Sequence, residues 1–75
     1  MNQNSTYTVT VNGDAIQVKD GALLTDVVRA VGLNPDAVRG VAVAMNDEVV
    51  RREAWTDTRV AAGDRIEIVT AQQGG

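Results

Sequence analysis

The sequence predicts an α+β fold, a mixed sheet of about five strands with one main helix packed across one face. Three observations carry this expectation. Two runs with period-two alternation flank Asn12-Gly13, and one stretch beginning at Leu24 repeats its apolar residues at helical spacing. The remaining apolar residues fall into short Val- and Ile-rich runs set off by Asn46-Asp47 and Gly63-Asp64. A chain of 75 residues makes one domain at most. A domain of that size buries only about 60 % of the surface its unfolded chain exposes, and its stability is roughly 4 to 11 kcal/mol on a per-residue basis.

Residues 6–11 place Tyr7, Val9 and Val11 on one side and Thr6, Thr8 and Thr10 on the other, the pattern of a half-buried strand. Asn12-Gly13 is a strong hairpin signal, because a type I′ turn needs positive φ at both central positions. With those two residues as the loop, Val9 falls opposite Ile16 and Tyr7 opposite Val18, so both strands bury the same face. Turn chemistry and hydrophobic pattern therefore specify the same register.

Asp20-Gly21 breaks the second strand. Leu24, Val27, Val28 and Val31 then fall at i, i+3, i+4 and i+7, one stripe of an amphipathic helix, with Asp26 and Arg29 away from it. Gly32 is placed to end the helix as its C′ residue, with Leu33 folding back onto the last turn. The start is less sharply marked: Ala22 is a poor N-cap, and Asp20 is the nearby candidate for that job. Residues 34–39, with the chain's single proline at position 35, form a connection.

Val41, Val43 and Met45 alternate with Ala42 and Ala44, so this third strand is apolar or small on both faces and belongs inside the sheet. Asn46-Asp47 is a second tight-turn signal. Residues 48–51 continue as a short strand whose basic end, Arg51 and Arg52, suits an exposed edge. Trp55 stands in a polar stretch, where a lone tryptophan is expected to plug the space under a loop. Val60 anchors the same connection before Gly63-Asp64 turns into the last strand, with Ile66 and Ile68 inward and Glu67 and Val69 outward. The right-handed crossover rule lets that last strand enter the middle of the sheet, beside and parallel to the first. This is the β-grasp, or ubiquitin-like, architecture, with residues 1–70 as the domain and 71–75 as a flexible tail.

Composition removes several function classes. The chain has no cysteine and no histidine, hence no disulfide, no thiolate nucleophile and none of the usual zinc sets. It also lacks the side chain that most easily acts as a base near neutral pH. A net charge of -3, with no basic stripe interleaved with aromatics, does not support nucleic-acid binding. No apolar stretch approaches the roughly 20 residues of a membrane span, and residues 1–6 lack a signal-peptide layout. The expectation is a cytoplasmic protein that is monomeric when free, with no membrane contact.

The remaining chemical signal is the end of the sequence, Gln72-Gln73-Gly74-Gly75. Two final glycines arise by chance in well under about 1 % of chains at ordinary glycine usage. Lacking a Cβ, Gly74 and Gly75 fit a passage too narrow for other residues and reach φ values closed to them. The group they would deliver is the α-carboxylate of Gly75, and a turn feeding a strand just upstream makes the leash short. The bland alternative is a frayed terminus.

Taken together, the stretch from Gly40 through Met45, Asn46-Asp47-Glu48-Val49-Val50, Trp55, Ala62-Gly63-Asp64-Arg65-Ile66-Glu67-Ile68-Val69 and Gln73-Gly74-Gly75 resembles the sulfur carrier of thiazole formation in thiamine biosynthesis. This is the ThiS family, within the ThiS/MoaD ubiquitin-like superfamily. Asn12-Gly13 and Gly32-Leu33 fit it as well, so the resemblance spans nearly the whole chain. Arg51-Arg52, Asp47 and Ala71-Gln72 depart from the family pattern without touching the final glycines. The resemblance implies a carrier that is not itself an enzyme and binds no cofactor. A ThiF-type adenylating enzyme, using ATP and magnesium, would convert the Gly75 carboxylate into an acyl adenylate. Sulfur from a donor such as a cysteine desulfurase persulfide would make it a thiocarboxylate, to be spent on a ThiG-type thiazole synthase. Gly75 is then the covalent carrier position, and Gly74 and Gln73 thread the tail into partner active sites.

Ala42, Ala44, Val49 and Val69 are the candidates for a partner-docking patch on the sheet face away from the helix; the alternative is that some of them fill the core. Three other functions fit parts of the pattern. A sulfur carrier like the small subunit of molybdopterin synthase shares the diglycine end. A ubiquitin-like modifier would join Gly75 to a lysine amine, and a free-standing binding module would use the sheet and leave the tail inert.

Overall fold

The computed structural model of the chain describes residues 5–37 and 39–70. Strands β1 (Thr6–Val11) and β2 (Asp14–Lys19) form the hairpin, followed by helix α1 (Leu24–Ala30). Strands β3 (Val41–Met45) and β4 (Glu48–Val50), a 3₁₀ helix (Arg52–Asp57) and β5 (Arg65–Thr70) complete the chain. The sheet order is β2-β1-β5-β3-β4. The last strand thus lies in the middle, parallel to β1 and antiparallel to β3. This is the five-stranded β-grasp sheet with one α-helix.

The hairpin register is the expected one, with Val9 opposite Ile16 and Tyr7 opposite Val18. Asn12 and Gly13 take φ values of +52° and +87°, and Asn46 and Asp47 take +53° and +72°, the left-handed geometry both tight turns require. On the inner face Val9, Val11, Val18, Val43, Ile66 and Ile68 meet Leu24, Val27 and Val28 of α1. Each such side chain contributes about 1.5–3 kcal/mol on full burial, the dominant favourable term in a domain with few aromatics. Trp55 and Val60 close the core from the side, at 2 % and 1 % exposure.

The helix ends as its sequence suggests. The Gly32 N–H donates to the Arg29 carbonyl and the Leu33 N–H to the Val28 carbonyl, a Schellman motif with Gly32 at φ +95°. Two local expectations are corrected. Val31, read as the last residue of the buried stripe, is 41 % exposed because α1 stops at Ala30 and Val31 is already its C-cap. Asp20 does not cap the helix. Leu23 holds the N-cap position, and its N–H is satisfied from inside the helix by the Asp26 carboxylate at 2.9 Å. The Asp20 N–H donates instead to the Ser5 carbonyl at the sheet's edge.

The start of α1 is also stitched to the connection before β5. The Leu24 N–H donates to the Thr58 carbonyl and the Val60 N–H to the Ala22 carbonyl, around an antiparallel bridge between Leu23 and Arg59. The Tyr7 hydroxyl donates to the Val60 carbonyl. These ties place Gly63-Asp64, and hence the start of β5, relative to the helix. No helix among the described residues is long and apolar enough to cross a membrane.

Candidate functional site

The site expected from the sequence divides into a tail and a surface beside its base. Gln73, Gly74 and Gly75 lie outside the described residues, whereas the strand that leads to them is described through Thr70.

Alternation on β5 buries Ile66 and Ile68 and turns Glu67 and Val69 outward. Register then carries that choice across the sheet. Ala42 stands opposite Val69, Ala44 opposite Glu67, and Ala44 again opposite Val49 on β4. Ala42, Ala44, Val49 and Val69 therefore share the face away from α1, while Val43 between the alanines goes into the core. Val49 is 76 % and Val69 62 % exposed, Ala42 is exposed and Ala44 half-buried. None of the four belongs to the buried core. An exposed apolar strip on a small domain, with alanines keeping it flat, is the surface type that excludes water well against another protein.

Charge enters this face at Glu67, which stands opposite Ala44, and lies at its border at Arg65 and Asp47. Arg65 pairs with Asp47 at 2.8 Å, both side chains well exposed. The hydrogen bond that Arg65 donates to the Asp47 carboxylate, and then the charge of Asp47, push the guanidinium further above its ordinary value, so Arg65 stays cationic at any working pH. Exposed pairs of this kind add little stability. Among the described residues there is no buried polar or charged side chain and no cluster of three or more acidic, histidine or cysteine groups that could hold a metal.

Two shallow depressions of about 400 and 420 Å³ lie elsewhere, one around Arg52 and Trp55, the other between Gln17–Ala22 and α1. Neither reaches the apolar strip.

Sequence reasoning missed what holds β5 in place. The Asn46 carboxamide accepts from the Arg65 N–H at 2.9 Å, and the Asn46 N–H donates to the Arg65 carbonyl at 2.7 Å. At the other flank Asn12 reaches the backbone of Ile68. In the sequence, the turns alone account for both asparagines. The available signal was that aspartate serves a type I′ turn as well, so the recurrence of Asn at both first turn positions invited a second role.

A β-grasp body whose central strand leads directly toward the C-terminus, with an exposed apolar strip beside that exit, places the molecule among ubiquitin-like proteins. The chain belongs to the ThiS family, whose family model matches residues 4–75. It is similar to the crystal structure of a thiamine biosynthesis protein (ThiS) from Geobacter metallireducens, at 31 % identity and TM-score 0.73, over 91 % of this chain and 99 % of that one. A solution NMR structure of a thiamine biosynthesis protein from Geobacter metallireducens is similar at 31 % identity and TM-score 0.70, over 91 % and 87 % of the two chains. No curated protein sequence matches.

Proposed function

We propose that this chain is a sulfur carrier of thiamine biosynthesis, with the Gly75 carboxylate as the group that is loaded. The observation that carries this is the family match, which runs to residue 75 and so includes the diglycine end. A free α-carboxylate has a reference pKa of about 3.3–3.7 and is a poorly electrophilic anion at neutral pH. It has to be activated by a partner. A ThiF-type adenylating enzyme, with ATP and magnesium, converts it to an acyl adenylate and releases pyrophosphate. A persulfide sulfur, from a donor such as a cysteine desulfurase, then displaces AMP from the acyl carbon. Cleavage of the resulting acyl disulfide by a thiol frees the Gly75 thiocarboxylate. As a softer nucleophile than carboxylate, it delivers sulfur on a ThiG-type thiazole synthase.

This division of labour suits the molecule. Residues 71–75 span at most about 17 Å when extended, enough for Gly74 and Gln73 to thread a cleft while the body stays outside. The body docks through Ala42, Ala44, Val49 and Val69, which lie beside the exit of β5.

Carrier-dependent release of pyrophosphate from ATP by the adenylating enzyme of the same organism tests the first step. Val69→Asp and Val49→Asp alter side chains that are 62 % and 76 % exposed, so the fold should tolerate them. Each is expected to raise KM for the carrier by about tenfold or more, the effect of desolvating a charge at an interface centre. An unchanged KM in both variants would show that docking uses another surface.

A further inference from the structure

Ile68 sets a pairing problem that β1 does not solve. The N–H and C=O of one strand residue point to the same side, and those of its neighbour to the other. On β5 the Ile66 carbonyl faces β1 and accepts from the Asn12 N–H at 2.9 Å, so Ile68 faces that side too. The β1–β5 register nevertheless ends at Val11 and Ile66, because the chain turns away at Asn12-Gly13 to begin β2. Ile68, only 8 % exposed, would be left with both polar backbone groups directed at vacated space.

The Asn12 side chain fills that space. Its Oδ1 accepts from the Ile68 N–H at 2.8 Å and its Nδ2 donates to the Ile68 carbonyl at 3.2 Å. A carboxamide carries the same donor and acceptor as a peptide group, so Asn12 serves as one more residue of the ladder and extends it toward the C-terminal end of β5. Aspartate has no donor and glycine no side chain, although either satisfies the turn.

The opposite end of β5 carries a related device. Asn46, in the same left-handed conformation, accepts from the Arg65 N–H through its Oδ1 and donates its own backbone N–H to the Arg65 carbonyl, continuing the ladder of β3. The two asparagines differ in where they act, since only Asn12 grips the end from which residues 71–75 continue.

We infer that Asn12 is a positioning residue for sulfur loading: by pinning β5 at Ile68 it fixes the direction in which the tail leaves the body. This rests on the carrier function proposed above. Without the clamp, β5 beyond Ile66 is held on one flank only, by the β3 pairs that run to Val41 and Thr70. A shift there moves the point from which residues 71–75 start toward the partner's cleft, and a displacement of about 1 Å at a reacting carbon can cost about 10²-fold in rate.

The test compares Asn12→Gly, Asn12→Asp and Asn46→Gly with wild type in the full chain. Amide exchange of Ile68 is followed by NMR, and kcat and KM by pyrophosphate release with the adenylating enzyme, ATP and magnesium. Both glycine variants keep their turns; N12G loses both bonds to Ile68, whereas N46G loses the side-chain bond from the Arg65 N–H and keeps the backbone bond to the Arg65 carbonyl. N12G is expected to speed exchange at Ile68 by about tenfold, as a locally opened ladder does. Its kcat should fall about tenfold with KM within about twofold of wild type, because docking survives and placement of the carboxylate does not. N12D, which sets a carboxylate oxygen against the Ile68 carbonyl, should lose kcat as well, whereas N46G should keep it. A purely structural role would reduce the folded fraction, raising apparent KM and sparing kcat at saturation.

Wild-type kcat in N12G and N12D, or equal kcat loss in N12G and N46G, overturns the positioning role and leaves the carrier function standing. A wild-type chain that supports no pyrophosphate release removes the carrier function and this role together, while the exchange measurement reports on the clamp independently.

Discussion

Deleting Gly75 is expected to abolish sulfur transfer and to leave the folded body unchanged. The truncated chain still ends in a glycine carboxylate, so its failure would be one of reach. One residue shortens an extended tail by about 3.3–3.6 Å. Since misplacement by about 1 Å already costs up to about 10²-fold, the carboxylate of Gly74 should not meet the activated phosphate at a useful rate. Stability should not respond, because among the described residues the sheet pairs run to Val41 with Thr70 and the buried core is built from residues 9–68. Thermal unfolding and thiazole formation, measured side by side, check both halves. Thiazole formation by the truncated chain would end the assignment of Gly75 as the carrier position.

The largest effect on stability is expected from Trp55→Ala, at about 3–5 kcal/mol. Its ring is 2 % exposed, its indole N–H donates to the Val50 carbonyl at 2.9 Å, and the Arg52 guanidinium lies 6.0 Å from the ring centroid. Alanine would leave a void beside the core and strand the Val50 carbonyl. Against a total of roughly 4 to 11 kcal/mol for a domain of this length, that loss brings the chain to the edge of folding. Denaturant titration reads it directly. A change below about 1 kcal/mol, the range of an ordinary surface substitution, would show that the side chain does not plug the fold.

Most of the architecture was legible because independent signals agreed. The first hairpin was fixed twice over, by Asn12-Gly13 and by the alternation on both sides of it, and its register follows as expected. The helix end was legible for the same reason, with Gly32 and Leu33 closing the motif that the apolar stripe led up to. Where signals were single or absent, detail was lost. Residues 52–57 coil into a 3₁₀ helix without apolar periodicity, held by packing of Trp55 that no local pattern encodes. Val31 continued the stripe on paper, but the cap geometry at Gly32 ended the helix first.

The candidate surface shows the same limit. Residues 41–45 are small or apolar on both faces, so alternation alone could not say which face is buried; pairing of Val43 with Ile68 decides it. The clamps of Asn12 and Asn46 are contacts across more than the local chain, 56 and 19 residues apart in sequence. Neither turn taken alone reveals them; only the recurrence of Asn at both first turn positions hints at a second role.

The most direct test of the central claim is the intact mass of the full chain after incubation with its adenylating enzyme, ATP, magnesium and a sulfur source. The account predicts a mass increase equal to replacement of one oxygen by sulfur, confined on fragmentation to Gly75. A chain that instead became joined to a lysine amine, or that left the reaction unaltered while the enzyme loaded another carrier, would contradict it.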